Sequence, residues 1–287
     1  MLMRKRLHIV AVMAALLLFS CKKEKSFDPN SGGTGGGGST TSLLAKTVTQ
    51  SDGGDSIVVT YNYDSQKRFI GYNSIESSAG DLYNSEAKFI RDAQGIVQKV
   101  VFKSYDLVLI GVDSIFYAVH YNTGTSRYTS SVLKYDDGVD FFRDSTVFSY
   151  NSSGKIIGSE EFYDDGTGYA KFSKIEYTYG SSGSVTKEKG YLFDEANNSY
   201  VASYQDDYEY DAKVNPLVVG NESFLMLDAS TVSPNNQTKD TFTDLEDPTG
   251  GDVYTTTYTY NSSNKPLTDQ LVAKSDGIPH PTKYTYK

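Results

Sequence analysis

The chain has 287 residues, 24 of them tyrosine and none tryptophan, and carries 27 Lys or Arg against 36 Asp or Glu, a net charge of −9. That acidic balance argues against nucleic acid and anionic lipid as electrostatic partners, since both call for a basic patch. A single cysteine leaves no pair for a disulfide and no set for a zinc–thiolate or iron–sulfur site.

Residues 1–20 read as a secretory signal. Arg4, Lys5 and Arg6 form a positive start, and an apolar run from Leu7 to Phe19 follows, interrupted only by His8. The run is too short for a comfortable bilayer span, which needs about 20 apolar residues. Leu18-Phe19-Ser20-Cys21 resembles a lipobox, in which the cysteine sulfur takes a diacylglycerol and the chain is cut before it. Cys21 is therefore expected to carry the lipid and to be the partner of a membrane. Without Arg4, Lys5 and Arg6 the 27 positive residues become 24 against 36 acids. Lys22 after the cysteine resembles the default signal for outer-membrane delivery, on either the periplasmic or the cell-surface face. Residues 21–42 end in SGGTGGGGSTTS, a composition that behaves as a flexible coil. They are expected to be a tether.

Residues 43–287 are expected to be one all-β domain. Tyr, Val, Ile, Phe and Thr abound, proline is sparse, and turn signals recur every 9 to 15 residues. A repeat organises them. Its core is an aromatic, any residue, Tyr, Asn or Asp, a Ser/Gly turn, then a basic residue and an apolar pair. Copies in chain order include Tyr61-Asn-Tyr63-Asp64, Phe89-Ile-Arg91-Asp92, Val119-His-Tyr121-Asn122, Phe148-Ser-Tyr150-Asn151, Tyr177-Thr-Tyr179-Gly180, Tyr208-Glu-Tyr210-Asp211 and Tyr258-Thr-Tyr260-Asn261, with a half copy at Tyr284-Thr-Tyr286. Successive copies lie 28, 30, 29, 29, 31, 50 and 26 residues apart. A near-constant period marks one repeated unit, here a β-hairpin of two strands and two turns. Period two puts both rings of each Tyr-x-Tyr on one face. The Asn or Asp that follows is expected to take the left-handed backbone of the turn. Eight marked strands and their partners give on the order of 14–16 strands, past the roughly 10 at which sheets curl, close or split. The expected fold is an antiparallel meander of repeated hairpins forming a large twisted or curled sheet. A short capping insertion is expected near 211–250, where the period is broken.

The Tyr-x-Tyr-Asn/Asp copies with their Gly and basic residue resemble the YD repeats of RHS-type proteins, which have a shorter period. Together with the lipobox, the Gly-rich stretch, Asn215-Pro216, Ser233 to Asn236 and Tyr258 to Pro266, they resemble a group of uncharacterised Bacteroidota lipoproteins. That resemblance implies a β-repeat fold and carries no catalytic residue.

No catalytic residue, metal ligand or cofactor is expected. After residue 20 the only histidines are His120, in a repeat strand, and His280, between two prolines; no G-x-S-x-G, P-loop or GxGxxG occurs. Acidic pairs such as Asp136-Asp137, Asp164-Asp165 and Asp206-Asp207 match no EF-hand spacing, and most fall at expected turns. The expected function is a non-enzymatic envelope lipoprotein, a β-repeat scaffold or binding surface for a protein or glycan partner. The alternative is a glycan-binding accessory lipoprotein using tyrosine rows, for which Tyr61, Tyr63, Tyr177, Tyr179, Tyr208, Tyr210, Tyr258 and Tyr260 are the candidate positions. Tyrosine suits that use because its ring stacks and its hydroxyl hydrogen-bonds.

Overall fold

A computed structural model describes residues 42–51, 54–136, 141–164, 166–218, 222–226, 232–247 and 249–287. The signal, Cys21 and the tether to residue 41 lie outside the described residues.

Sixteen strands follow in order: β1 Leu44–Gln50, β2 Ser56–Tyr63, β3 Phe69–Ser78, β4 Asp81–Arg91, β5 Val97–Ser104, β6 Ile115–Asn122, β7 Arg127–Asp136 and β8 Phe141–Tyr150. The second half comprises β9 Ile156–Asp164, β10 Tyr169–Tyr179, β11 Val185–Asp194, β12 Ser199–Val214, β13 Asn235–Asp244, β14 Asp252–Tyr260, β15 Pro266–Ala273 and β16 Pro279–Tyr286. A single helical turn, α1 (Tyr105–Leu109), joins β5 to β6, and a 3-10 turn at Ser223–Met226 lies between β12 and β13.

Each strand pairs antiparallel with the next, and β1 pairs with β16, so the meander is a closed barrel. This corrects the expectation of a twisted or curled open sheet. The seam has ordinary register, with Thr47 opposite Tyr284 and Thr49 opposite Thr282. Leu43 and Lys287 exchange backbone hydrogen bonds of 2.8 and 2.9 Å just beyond it. The reason is an edge argument: an open sheet leaves two rows of unpaired N–H and C=O groups, and closure removes both. The closing strand β1 bears no repeat marker, so periodicity does not announce it.

The turns divide the barrel into two rims. Those following the Tyr-x-Tyr strands, and both described chain ends, lie on one rim, here the tyrosine rim. The turns between odd strands and their successors, with α1, lie on the far rim. Four of the tyrosine-rim turns share one construction. In the copy at 151–155, Asn151 Oδ1 accepts from the N–H groups of Ser153 and Lys155, each at 3.0 Å. Asp64, Asp92 and Asn261 do the same two and four residues on. The left-handed residue is three places later, Gly154 at φ 85° or Asn264 at φ 59°. The Asn/Asp of the repeat thus caps the loop with its side chain, and the left-handed backbone falls elsewhere than expected.

The break in the period is also revised. β12 runs on to Val214 and β13 begins at Asn235, and the described residues of the inserted segment between them, 215–218, 222–226 and 232–234, sit at the tyrosine-rim mouth of the barrel rather than on an open sheet face. Phe224 is lodged edge-on against Tyr128, Phe148 and Tyr150, with ring centres 5.9, 5.1 and 6.2 Å away. Glu222 forms an ion pair with Arg91 on the inner face of β4. Ser233, fully buried, accepts from the Val185 N–H at 3.0 Å.

Candidate functional site

The inner and outer faces follow from register and burial. Along the barrel, Tyr61, Phe89, Val100, Val119, Leu133 and Phe148 are buried at 8% exposure or less and point inward. Leu82, Ile75 and Val147, on the alternate positions, are 62, 44 and 41% exposed. The core cluster joins β1 to β9 and β16 with Leu217 and Phe224 of the inserted segment.

All eight candidate tyrosines lie on the inward register, near the tyrosine rim. Tyr61 and Tyr63 pack on Phe69, with centres 6.5 and 6.0 Å apart. Tyr258 and Tyr260 stack at 5.9 Å, and Tyr208 and Tyr210 lie 6.4 Å apart. Their hydroxyls are engaged. Tyr179 donates to the Ile156 carbonyl at 2.6 Å, Tyr258 to the Gln237 carbonyl at 2.9 Å, Tyr208 to Glu188, and Tyr260 to Asp211. Tyr210 shares a hydrogen bond of 3.0 Å with Ser233. The structure therefore brings these positions together as an internal girdle.

The basic residue that follows the turn in three of the copies completes the girdle. Lys155 Nζ lies 4.8 Å above the Tyr179 ring, which belongs to the next copy. Lys265 relates in the same way to Tyr286 at 5.3 Å, and Arg127 to Tyr150 at 5.3 Å. Lys287 covers Tyr63 at 4.9 Å, so the last strand is tied to the first. The second tyrosine also reaches back to the start of the preceding strand: Tyr150 to Tyr128 O at 2.7 Å, and Tyr286 to Pro266 O at 2.8 Å. Each cation–ring contact contributes about 0.5–1 kcal/mol at an exposed site.

Towards the middle of the barrel the inner face turns polar. Thr146, Ser131, Ser159, Thr256 and Asp269 are all 6% exposed or less. Tyr284 donates to Asp269, and Tyr204 donates to Glu188 at 2.7 Å. Asp206 and Asp240 lie on the same inner face of adjacent strands. Burial, and then the negative Asp240 and Glu188, raise Asp206 to about 9. Burial and Glu161 raise Asp144 to about 6. Asp207, by contrast, points outward and pairs with Lys187 at 3.4 Å. Alternation thus splits the Asp206-Asp207 pair between the faces in mid-strand. Among the described residues no group of three His, Cys, Asp or Glu is placed to hold a metal ion. His120 points outward on β6 and His280 inward on β16, strands that are not neighbours.

The outer face carries charge at mid-strand. Lys239 pairs with Glu209 at 2.8 Å, Lys174 with Glu176 at 2.7 Å, and Lys99 lies 3.8 Å above the Phe116 ring. An open cleft of about 430 Å³ beside α1 is lined by Asn84, Lys103, Ser104, Tyr105, Val108 and Asp113. Sequence reasoning missed two features. The anchors of the inserted segment, Arg91, Glu222 and Ser233, have no local signal, because each partner is remote in sequence. The outward aromatic group Tyr191, Phe193 and Tyr200 does have one: Tyr191-Leu192-Phe193 alternates at period two on the strand opposite a marker.

The architecture defines a closed, sixteen-stranded, up-and-down β-barrel with a covered mouth. No family model matches the sequence, and no curated protein matches it. Two solved structures share the fold. A porin-like protein from Bacteroides uniformis is 14% identical, with a TM-score of 0.55 over 85% of this chain and 98% of that one. A porin-like protein from Bacteroides vulgatus is 13% identical, with a TM-score of 0.54 over 86% of this chain and 99% of that one. The likeness is one of fold.

Proposed function

We propose that the protein is a non-enzymatic envelope component, a filled barrel that faces water on its outside, is held to a membrane by a lipid on Cys21, and serves as a scaffold or binding surface for a partner. The single observation behind this reading is the distribution of polarity. A membrane-spanning barrel presents an apolar band outward and keeps its polar residues inside, and a Lys or Arg facing lipid at mid-depth costs about 2–4 kcal/mol. Here Lys174, Glu176, Lys187, Asp207, Glu209 and Lys239 occupy mid-strand positions of the outer wall, and aromatic rings fill the tyrosine-rim end of the interior. Among the described residues no helix is long and apolar enough to cross a membrane, a fact that leaves strands open and makes the wall's charge the deciding feature.

The geometry also supports a direction for the tether. The described chain starts at the tyrosine rim, where Lys265 Nζ donates to Ser42 O at 2.6 Å and to Ser42 Oγ at 2.8 Å. A tether from Cys21 then joins the barrel at its covered mouth. The tyrosine girdle is read as the internal framework of the barrel, with its hydroxyls and ring faces already in use. Cell fractionation of the Cys21→Ser variant tests the reading. The variant is expected in the soluble envelope fraction, folded, with the native protein in the membrane fraction. A variant that stays in the membrane pellet and resists carbonate extraction would contradict it.

A further inference from the structure

The outer wall over β9 to β12 sets lysines, carboxylates and aromatic rings side by side. Register aligns its outward residues in rows: Phe162 beside Lys171, with Phe193 opposite Tyr200; then Glu160, Lys174 and Tyr191; then Glu176 and Lys189; then Lys187 and Asp207. The two central strands, β10 and β11, carry four outward lysines (Lys171, Lys174, Lys187 and Lys189), three of them ion-paired: Lys171 with Glu160 at 3.5 Å, Lys174 with Glu176 at 2.7 Å and Lys187 with Asp207 at 3.4 Å. The Lys171 and Lys187 side chains are 47 and 41% exposed.

Three rings sit among these cations. Lys174 Nζ is 4.4 Å from the centre of Tyr191 and 5.2 Å from that of Tyr200. Lys171 Nζ is 5.5 Å from Phe193 and 5.3 Å from Tyr200. Two hydroxyls fix the rings, Tyr191 donating to Glu176 Oε2 and Tyr200 to Glu160 Oε1, both at 2.7 Å. The rings are therefore held in place on a solvent-facing wall, a pre-organisation that lowers the ordering cost of binding.

We propose that this wall binds an anionic carbohydrate chain of the uronate type. The inference rests on the reading of the outer wall as water-facing. Such a chain offers both complements of the array. Its carboxylates pair with the lysines, and the C–H faces of its sugar rings pack on Tyr191, Phe193 and Tyr200. Glu176 within the strip and Glu160 and Asp207 beside it give up their lysines to the chain's carboxylates and accept from its sugar hydroxyls. Outward residues two apart on a strand lie about 7 Å from each other, so cation and ring alternate on the scale of a sugar repeat.

The test is affinity electrophoresis of the full chain in mild detergent, through gels holding polygalacturonate, neutral dextran, or duplex DNA. Retardation by polygalacturonate that weakens with added salt is expected, with dextran and DNA inert. Lys174→Gln with Lys189→Gln, and separately Tyr191→Ala with Tyr200→Ala, are expected to weaken it roughly tenfold each, the loss of two cations or of two rings. Tyr191→Phe keeps the ring face but releases it from Glu176, and is expected to bind between the parent and the double alanine variant. Lys46→Gln with Lys283→Gln, on the opposite wall, changes nothing if the site is local. Circular dichroism of every variant shows whether the barrel is intact. Equal retardation by DNA would mean unspecific attraction of polyanions and would overturn the proposal, as would equal binding by intact array variants. A chain that is water-soluble yet indifferent to polygalacturonate loses this proposal and keeps the proposed function.

Discussion

Removing one rung of the tyrosine girdle measures what the repeat is for. Tyr179 carries two interactions across hairpins: its hydroxyl donates to Ile156 O at 2.6 Å, and its ring lies 4.8 Å under Lys155 Nζ. Tyr179→Phe deletes only the first. A net hydrogen bond contributes about 0.5–1.5 kcal/mol, and a buried acceptor left without its donor costs about 1–3 kcal/mol, so a loss of about 1–2 kcal/mol is expected. For a domain of this size each kcal/mol moves Tm by about 2–4 °C, which places the Phe variant about 2–8 °C below the parent. Lys155→Met keeps the aliphatic stem and deletes the cation over the ring, at about 0.5–1 kcal/mol. Lys155 also donates to Gly183 O at 3.1 Å, so its single substitution includes that bond. The double cycle with Tyr179→Leu isolates the ring–cation term, expected at about 0.5–1 kcal/mol of coupling. Calorimetry on the four proteins reads it. An unchanged Tm in the Phe variant, together with additive Lys155 and Tyr179→Leu effects, would refute the girdle as the device joining successive hairpins.

Three further outcomes follow from particular contacts. Gly158 sits at φ 155°, and a Cβ there would lie 2.1 Å from the Ile175 carbonyl oxygen; Gly158→Ala is expected to cost at least about 2 kcal/mol, read as a lower urea midpoint. Phe224→Ala empties the pocket among Tyr128, Phe148 and Tyr150 and is expected to cost about 3–5 kcal/mol, reduced where the inserted segment can settle, with faster amide exchange at the tyrosine rim than at the far rim. Burial and its carboxylate neighbours push Asp206 up, to about 9, in the fold. A raised folded value means that this group's contribution is whole below the unfolded value of about 3.9 and drains away as pH climbs to the folded one. Urea midpoints should therefore fall from acid towards about pH 9, and Asp206→Asn should flatten that slope; an unchanged slope in the variant would assign the pH dependence elsewhere.

Much of the architecture was legible because the repeat writes each hairpin locally. The Tyr-x-Tyr pairs, the Asn151-type turns and the opposite turns at 166–168 and 195–198 all fall where the period puts them. Closure was not legible, because Leu44–Gln50 has no marker and its partner β16 lies more than 230 residues away. Period two also says that Tyr177 and Tyr179 share a face without saying which face is inside. Threonines such as Thr178 on the alternate positions are equally at home on a water-facing wall or in a polar lumen. The role of the repeat's lysine was hidden for a related reason. Lys155 meets Tyr179, a residue of the following copy, and only the assembled sheet brings the two together. Asp206-Asp207 reads as a turn pair by composition, yet it lies within a strand, where alternation gives its two carboxylates opposite environments.

Analytical ultracentrifugation of the Cys21→Ser chain, made without residues 1–20 in detergent-free buffer, addresses most directly whether the charged wall faces water. A single, compact, monodisperse species with a β-rich circular dichroism spectrum is the expected result. Aggregation that only detergent micelles or bilayers reverse, with folding on insertion, would show that the outer wall belongs in lipid and would contradict the account.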